Sequence, residues 1–96
     1  MQYTIFATGR FPTAKACAYL QQLSKHFAHK LPVEFDESNS RITLPAGICT
    51  LTATDQELRI DVSAETAEQR DRAKGLIDSH LERFAFREGF KSMDWG

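Results

Sequence analysis

The chain has 96 residues, 42% hydrophobic and 26% charged, a balance that excludes the disordered, fibrous and membrane-spanning classes and fits one globular domain over residues 1–96. Twelve basic against 13 acidic side chains give a formal charge of −1, so no global field draws the chain to nucleic acid or to an anionic membrane. A chain of this size buries roughly 60–70% of the surface its unfolded form exposes, enough for a core without disulfides or a structural metal.

The opening residues Met1-Gln2-Tyr3-Thr4-Ile5-Phe6 carry no basic leader. No later stretch approaches the roughly 20 apolar residues of a membrane span, so the expected location is cytoplasmic. Cys17 and Cys49 stand far apart in no metal-ligand spacing, and the expectation for both is a reduced thiol acting as a small buried hydrophobe.

Tyr3–Thr8 alternates aromatic or aliphatic residues with threonines, which predicts a strand broken by Gly9-Arg10-Phe11-Pro12. Thr13 is a candidate cap for a first helix starting at Ala14. Within it Ala16, Leu20, Leu23 and Phe27 recur at helical steps, and Pro32 places its end near His29. The period then changes to two in Val33–Asp36, Arg41–Leu44, Ile48–Ala53 and Leu58–Val62. The breaks at Glu37–Ser40, Pro45–Gly47 and Thr54–Glu57 are short enough for hairpins, so a four-strand antiparallel meander follows. Thr66-Ala67-Glu68-Gln69 fits a capping box, with Ser63 as an alternative cap. Ala73, Ile77, His80, Leu81 and Phe84 form the second helix's apolar stripe, Gly89 is placed to stop it in a left-handed conformation, and Phe90–Trp95 is a candidate last strand. The implied fold is α+β, two-layer, an antiparallel sheet with two helices on one face in the order β-α-β-β-β-β-α(-β). This order resembles one half of the TATA-box-binding-protein fold, a likeness that does not fix function.

All three histidines fall near helix ends, in Lys25-His26-Phe27-Ala28-His29-Lys30 and in His80-Leu81-Glu82-Arg83-Phe84-Ala85-Phe86-Arg87-Glu88. His26, His29, Lys30, His80, Arg83 and Arg87 are therefore the candidate ligand-binding residues. Imidazoles three positions apart on a helix can share a metal with a third from a neighbouring helix. Fixed spacings such as His-Glu-x-x-His are absent, however, and the reading of the residues assigns no metal and no cofactor. Arg83 and Arg87, one turn apart, could grip a phosphate or carboxylate with Lys30 or His26, against the plainer alternative of surface pairing with Glu34, Glu82 or Glu88. Phe86 projects opposite the core stripe and marks either a partner surface or a patch covered by the C-terminal segment.

The sequence carries no Gly-rich phosphate loop and no nucleophile elbow. A dyad of Cys17 with His26 or His29 is ruled out within the first helix, where they lie about two or three turns apart. No catalytic residue is assigned, and enzymatic activity stays open.

The segments Lys25-His26-Phe27-Ala28-His29-Lys30-Leu31-Pro32-Val33-Glu34-Phe35, Gly47-Ile48-Cys49-Thr50-Leu51 and His80–Glu88, in this order, resemble the bacterial domain-of-unknown-function family 2218 over nearly the whole chain. In that family the domain occurs alone and appended to siderophore-interacting flavin reductases. The resemblance thus implies a link to iron or siderophore handling, with flavin or nicotinamide chemistry left to another protein. Its signature falls on His26, His29, Lys30, Cys49, His80, Arg83, Phe84 and Arg87, and it brings no catalytic residues.

The expected function is a non-enzymatic binding or accessory module whose partner is an anionic small molecule such as a ferric siderophore, or a siderophore-interacting reductase. A homodimer stays open, and neither nucleic acid nor membrane is an expected partner. The alternatives are a small enzyme with a histidine general base, and a nucleic-acid-binding sheet suggested by the fold likeness alone.

Overall fold

Strict alternation of apolar and polar residues after Pro32 becomes, in the computed structural model, a meander in which every strand pairs antiparallel with its neighbour. Residues 5–95 are described. The elements are β1 (Ile5–Pro12), α1 (Ala16–Ala28), β2 (Val33–Phe35), β3 (Asn39–Leu44), β4 (Gly47–Ala53), β5 (Glu57–Ala64) and α2 (Ala67–Ala85), followed by a 3₁₀ turn at Phe86–Glu88. The five strands lie in the order β1-β5-β4-β3-β2, so β1, separated in sequence by a helix and three strands, closes the sheet against β5. The pairs Ile42↔Cys49, Cys49↔Val62 and Leu51↔Ile60 set a register that collects the apolar residues of three strands on one face.

Both helices cover that face. Leu20, Leu23 and Phe27 of α1 and Ala73, Ile77, Leu81 and Ala85 of α2 are buried against Ile42, Leu51, Leu58 and Ile60. Full burial of each of the larger aliphatic side chains contributes about 1.5–3 kcal/mol. One polar contact interrupts this layer. Ser24, fully buried, donates to the Leu20 carbonyl at 2.7 Å and shares a 2.6 Å hydrogen bond with Ser40 of β3, which satisfies both hydroxyls where α1 crosses the sheet. The opposite face is open and mostly polar apart from the exposed Phe6, with Thr8 donating to Asp61 at 2.7 Å and ion pairs Arg10–Glu57 at 2.6 Å and Arg59–Asp61 at 3.2 Å.

The two-layer α+β arrangement and the meander are as the sequence predicts, and four local expectations change. The first strand does not break at Gly9 but runs to Pro12. A Cβ at Gly9 would lie 2.8 Å from two ring atoms of Trp95, so the glycine admits the indole, and Pro12 ends an edge strand where its missing N–H costs little. Phe90–Trp95 is no strand. It touches the sheet through a single bridge, Arg10↔Asp94, because the Asp78 carboxylate takes the Met93 N–H at 2.8 Å and the Trp95 indole N–H at 2.9 Å. Thr13 accepts from the Lys15 N–H at 3.0 Å in the turn before α1 rather than capping it, and α1 begins at Ala16. Cys17 is exposed, one step off the buried stripe, whereas Cys49 is fully buried. Tyr3 and Thr4, part of the predicted first strand, lie outside the described residues.

Thr66 caps α2 by accepting from the Gln69 N–H at 3.1 Å, but the Gln69 side-chain oxygen has no partner, so only the forward half of the capping box forms. Gly89 ends the 3₁₀ turn at φ 73°, the left-handed conformation predicted for it.

Two glycines test the packing in opposite directions. A Cβ at Gly47 would lie 2.3 Å from the Ser63 carbonyl oxygen, whereas a Cβ at Gly75, on the outer side of α2, meets nothing within 4 Å. In urea unfolding, Gly75→Ala is expected to stabilise by about 0.5–1 kcal/mol. Gly47→Ala is expected to destabilise by about 1–3 kcal/mol or more. Equal effects from the two would refute the close β4–β5 approach.

Candidate functional site

His26 immediately precedes Phe27, the last buried residue of the α1 stripe, and His80 immediately precedes Leu81 of the α2 stripe. One helical step is about 100°, so each imidazole sits on the flank of its stripe, and where the stripes share a sheet the two flanks meet. The ring centroids of His26 and His80 are 5.1 Å apart. His80 also lies 4.9 Å from the Phe27 ring, and His26 packs edge-on against Phe27 at 5.6 Å and Phe84 at 5.8 Å. The aromatic neighbours thus fix both imidazoles from the side.

The His80 tautomer follows from its contact. Nδ1 lies 2.8 Å from the Leu76 carbonyl oxygen, which only accepts, so Nδ1 carries the proton and the neutral ring keeps its lone pair on Nε2. His26 resists protonation, its pKa lowered by loss of solvation first and then by the charges of His80, Arg83, His29 and Lys30. No carboxylate stands among these neighbours to counter them.

Beside the imidazole pair is a half-enclosed cavity of about 370 Å³ between the end of α1, the middle of α2 and the β3–β4 hairpin. Its basic lining is His26, His29, Lys30 and His80, and its apolar lining is Phe27, Leu31, Pro45 and Leu76. Of the six candidate residues the structure therefore brings four to one cavity. Arg83 stands close enough to oppose the charge on His26 without lining the cavity, and the Arg87 guanidinium lies over the Phe86 ring at 5.8 Å. Among the described residues the ion pairs are Arg10–Glu57, Arg59–Asp61, Arg70–Asp71 and Arg72–Glu68, so the expected surface pairing of Arg83 and Arg87 is not formed. The three histidines do not converge on a metal: among the described residues no three His, Cys, Asp or Glu side chains come close enough to hold one.

Sequence reasoning missed Leu76 and Pro45. Leu76 stands four positions before His80, a helical spacing available in the sequence, whereas nothing local shows that the Pro45 hairpin reaches under the helix ends. It also missed that Glu88, assigned to the surface, accepts from Thr13 at 2.9 Å and from the Tyr19 hydroxyl. Burial, this hydrogen bond and the Glu88 charge push the Tyr19 phenol up to about 12, and burial pushes the Cys49 thiol up to about 12, leaving both protonated and structural. Phe86 is 61% exposed, because the C-terminal segment folds toward β1 and does not cover it. No helix among the described residues is long and apolar enough to cross a membrane.

These features define a class: a small α+β domain with one polar sheet face open and a basic, carboxylate-free cavity where its two helices meet. The chain belongs to the bacterial family described as uncharacterized protein conserved in bacteria, DUF2218, whose pattern matches residues 8–96. Its fold is similar to that of the NMR structure of PA4090 from Pseudomonas aeruginosa, with a TM-score of 0.74 and 23% identity over 85% of each chain. No curated protein matches it.

The lowered His26 pKa predicts that its imidazole titrates below the ordinary value of 6.5 in NMR. Removing one opposing charge, by His80→Asn or Arg83→Gln, should raise it only partway, because desolvation is the larger cause. The folded chain takes the proton less readily than the unfolded one. The corresponding stability is present above 6.5 and is lost as pH falls through 6.5 toward the lowered value. A His26 titration at or above the ordinary value refutes this electrostatic account.

Proposed function

We propose that the chain is a non-enzymatic binding or accessory module that holds an anionic ligand in the cavity beside His26 and His80. The observation that carries this reading is the lining: three imidazoles and the Lys30 ammonium against four apolar side chains, with no acidic group. A cavity of this makeup offers a negative group several donors and no like charge, and offers an apolar body a dry wall. Its volume of about 370 Å³ falls at the small end of ligand sites.

A finer form of the proposal is that the anion is a ferric siderophore, or that the basic corner of Lys30 and Arg83 meets a siderophore-interacting reductase. Its support is the chain's resemblance to a family whose domain is expected both alone and appended to such reductases. The cavity volume would admit one arm of a siderophore rather than the whole complex.

One observation favours a second reading, a small enzyme with His80 as general base, since the Leu76 carbonyl orients its ring and places the proton of the neutral form on Nδ1, making Nε2 the basic atom. The lining holds no serine, threonine or cysteine, so such a base would have to act on water or on the substrate itself. A nucleic-acid-binding role would fall to the open sheet face, where Arg10 and Arg59 are already matched by Glu57 and Asp61.

The test is NMR of the histidine side chains during titration with a ferric siderophore, inorganic phosphate and benzoate. Binding should shift His26, His29 and His80 together and leave the open-face residues unmoved, and Lys30→Ala should weaken it several-fold. Unmoved histidine signals with all three probes would remove the proposal.

A further inference from the structure

The cavity holds its positive charge unevenly. Lys30 supplies a standing ammonium, whereas the imidazoles of His26 and His80, 5.1 Å apart, face each other across the α1–α2 contact and cannot both be charged cheaply. The groups facing His26 are His29 and Lys30 from α1 and its C-terminal turn, and His80 and Arg83 from α2, all basic. The pair can therefore take one proton without a second following, and an anion beside it is the group that makes the first proton favourable. The end of α1 supports the same step: His26 stands in its last turn, and a helix C-terminus favours an added positive charge.

The remaining lining sets the shape of the ligand. Phe27 packs beside the His80 imidazole, and Leu31, Pro45 and Leu76 complete the apolar lining. A compact inorganic anion would leave its outer oxygens against these side chains without partners, at a cost in desolvation. A flat ring bearing a single carboxylate would place the charge at Lys30 and the imidazoles and its body on the apolar wall. Resting on the anion-binding reading above, we infer that the cavity takes an aromatic monocarboxylate and that its binding is coupled to uptake of one proton by the His26–His80 pair.

Calorimetry on the full chain with benzoate as the probe, in buffers of differing ionisation enthalpy, measures the proton count directly. Uptake of close to one proton is expected, with affinity rising up to about tenfold per pH unit on going from about pH 8 toward pH 6. Replacing both imidazoles, His26→Asn together with His80→Asn, should remove most of the pH dependence, while Lys30→Ala should lower affinity at both ends of the range. Inorganic phosphate should bind more weakly than benzoate throughout. Benzoate bound with no proton uptake would overturn the coupling while leaving anion binding intact, and phosphate bound as tightly as benzoate would overturn the aromatic class. Absence of binding by either probe would overturn both this inference and the reading beneath it. Because the wild-type pH dependence is itself decisive, the test does not depend on a variant that might fold poorly.

Discussion

The burial of two helical stripes on one face of a single sheet is the constraint from which the rest follows. Leu20, Leu23 and Phe27 must share the surface of β3, β4 and β5 with Ile77 and Leu81, and a sheet of this width leaves the helices side by side. Whatever flanks the two stripes on their facing sides is then forced together. In this chain those flanking residues are His26 and His80, so the imidazole contact is a by-product of core packing and needs no polar interaction to create it. The Ser24–Ser40 hydrogen bond adds direction, since it fixes where α1 crosses β3 and hence how far along the sheet the end of α1 reaches.

This origin explains the electrostatic character of the corner. A functional pair assembled around a carboxylate would hold its proton through that charge. Here the groups around His26 are His29, Lys30, His80 and Arg83, and they depress protonation together with loss of solvent. His26 consequently resists a proton while standing among basic side chains. Such a site gains more from an incoming negative group than from any rearrangement of its own lining, which contains no acidic side chain.

Most of the architecture was legible because it is written in short periods. The alternation from Val33 to Val62 specifies register and buried face without help from distant residues, and the Thr66–Gln69 spacing marks the start of α2 to the residue. The misreadings have a common physical cause. Gly9-Arg10-Phe11-Pro12 carries the composition of a turn, and it stays extended because Trp95, 86 positions away by number, lies over Gly9 while Arg10 bonds Asp94 in both directions. Phe90–Trp95 carries the composition of a strand, and it loses that geometry to a carboxylate on α2. Local sequence could not report either contact. The candidate site was legible as residue types on two helices, and His26, His29, Lys30 and His80 do share a cavity. The roles of Pro45 and Leu76 depended on tertiary placement, and Arg87 was turned away when α2 tightened into a 3₁₀ turn at Phe86.

The same C-terminal contacts bear on how ready the cavity is for a ligand. Asp78 and His80 are two positions apart on α2, about 200° around the helix, so they work on opposite flanks. Asp78 ties α2 to the C-terminal segment beside β1, with Lys74 5.4 Å from the centre of the Trp95 ring, while His80 faces α1. Beyond the helix, Glu88 ties the 3₁₀ turn back to Thr13 and Tyr19 at the start of α1. The second helix is thereby held against rotation and against sliding before any ligand arrives. A binding site formed between two elements ordinarily loses affinity to the cost of ordering them, and these ties on the far side remove most of that cost in advance. The contacts that brace α2 are thus remote from the cavity, so under the proposed binding role Asp78 and Glu88 would contribute without touching a ligand.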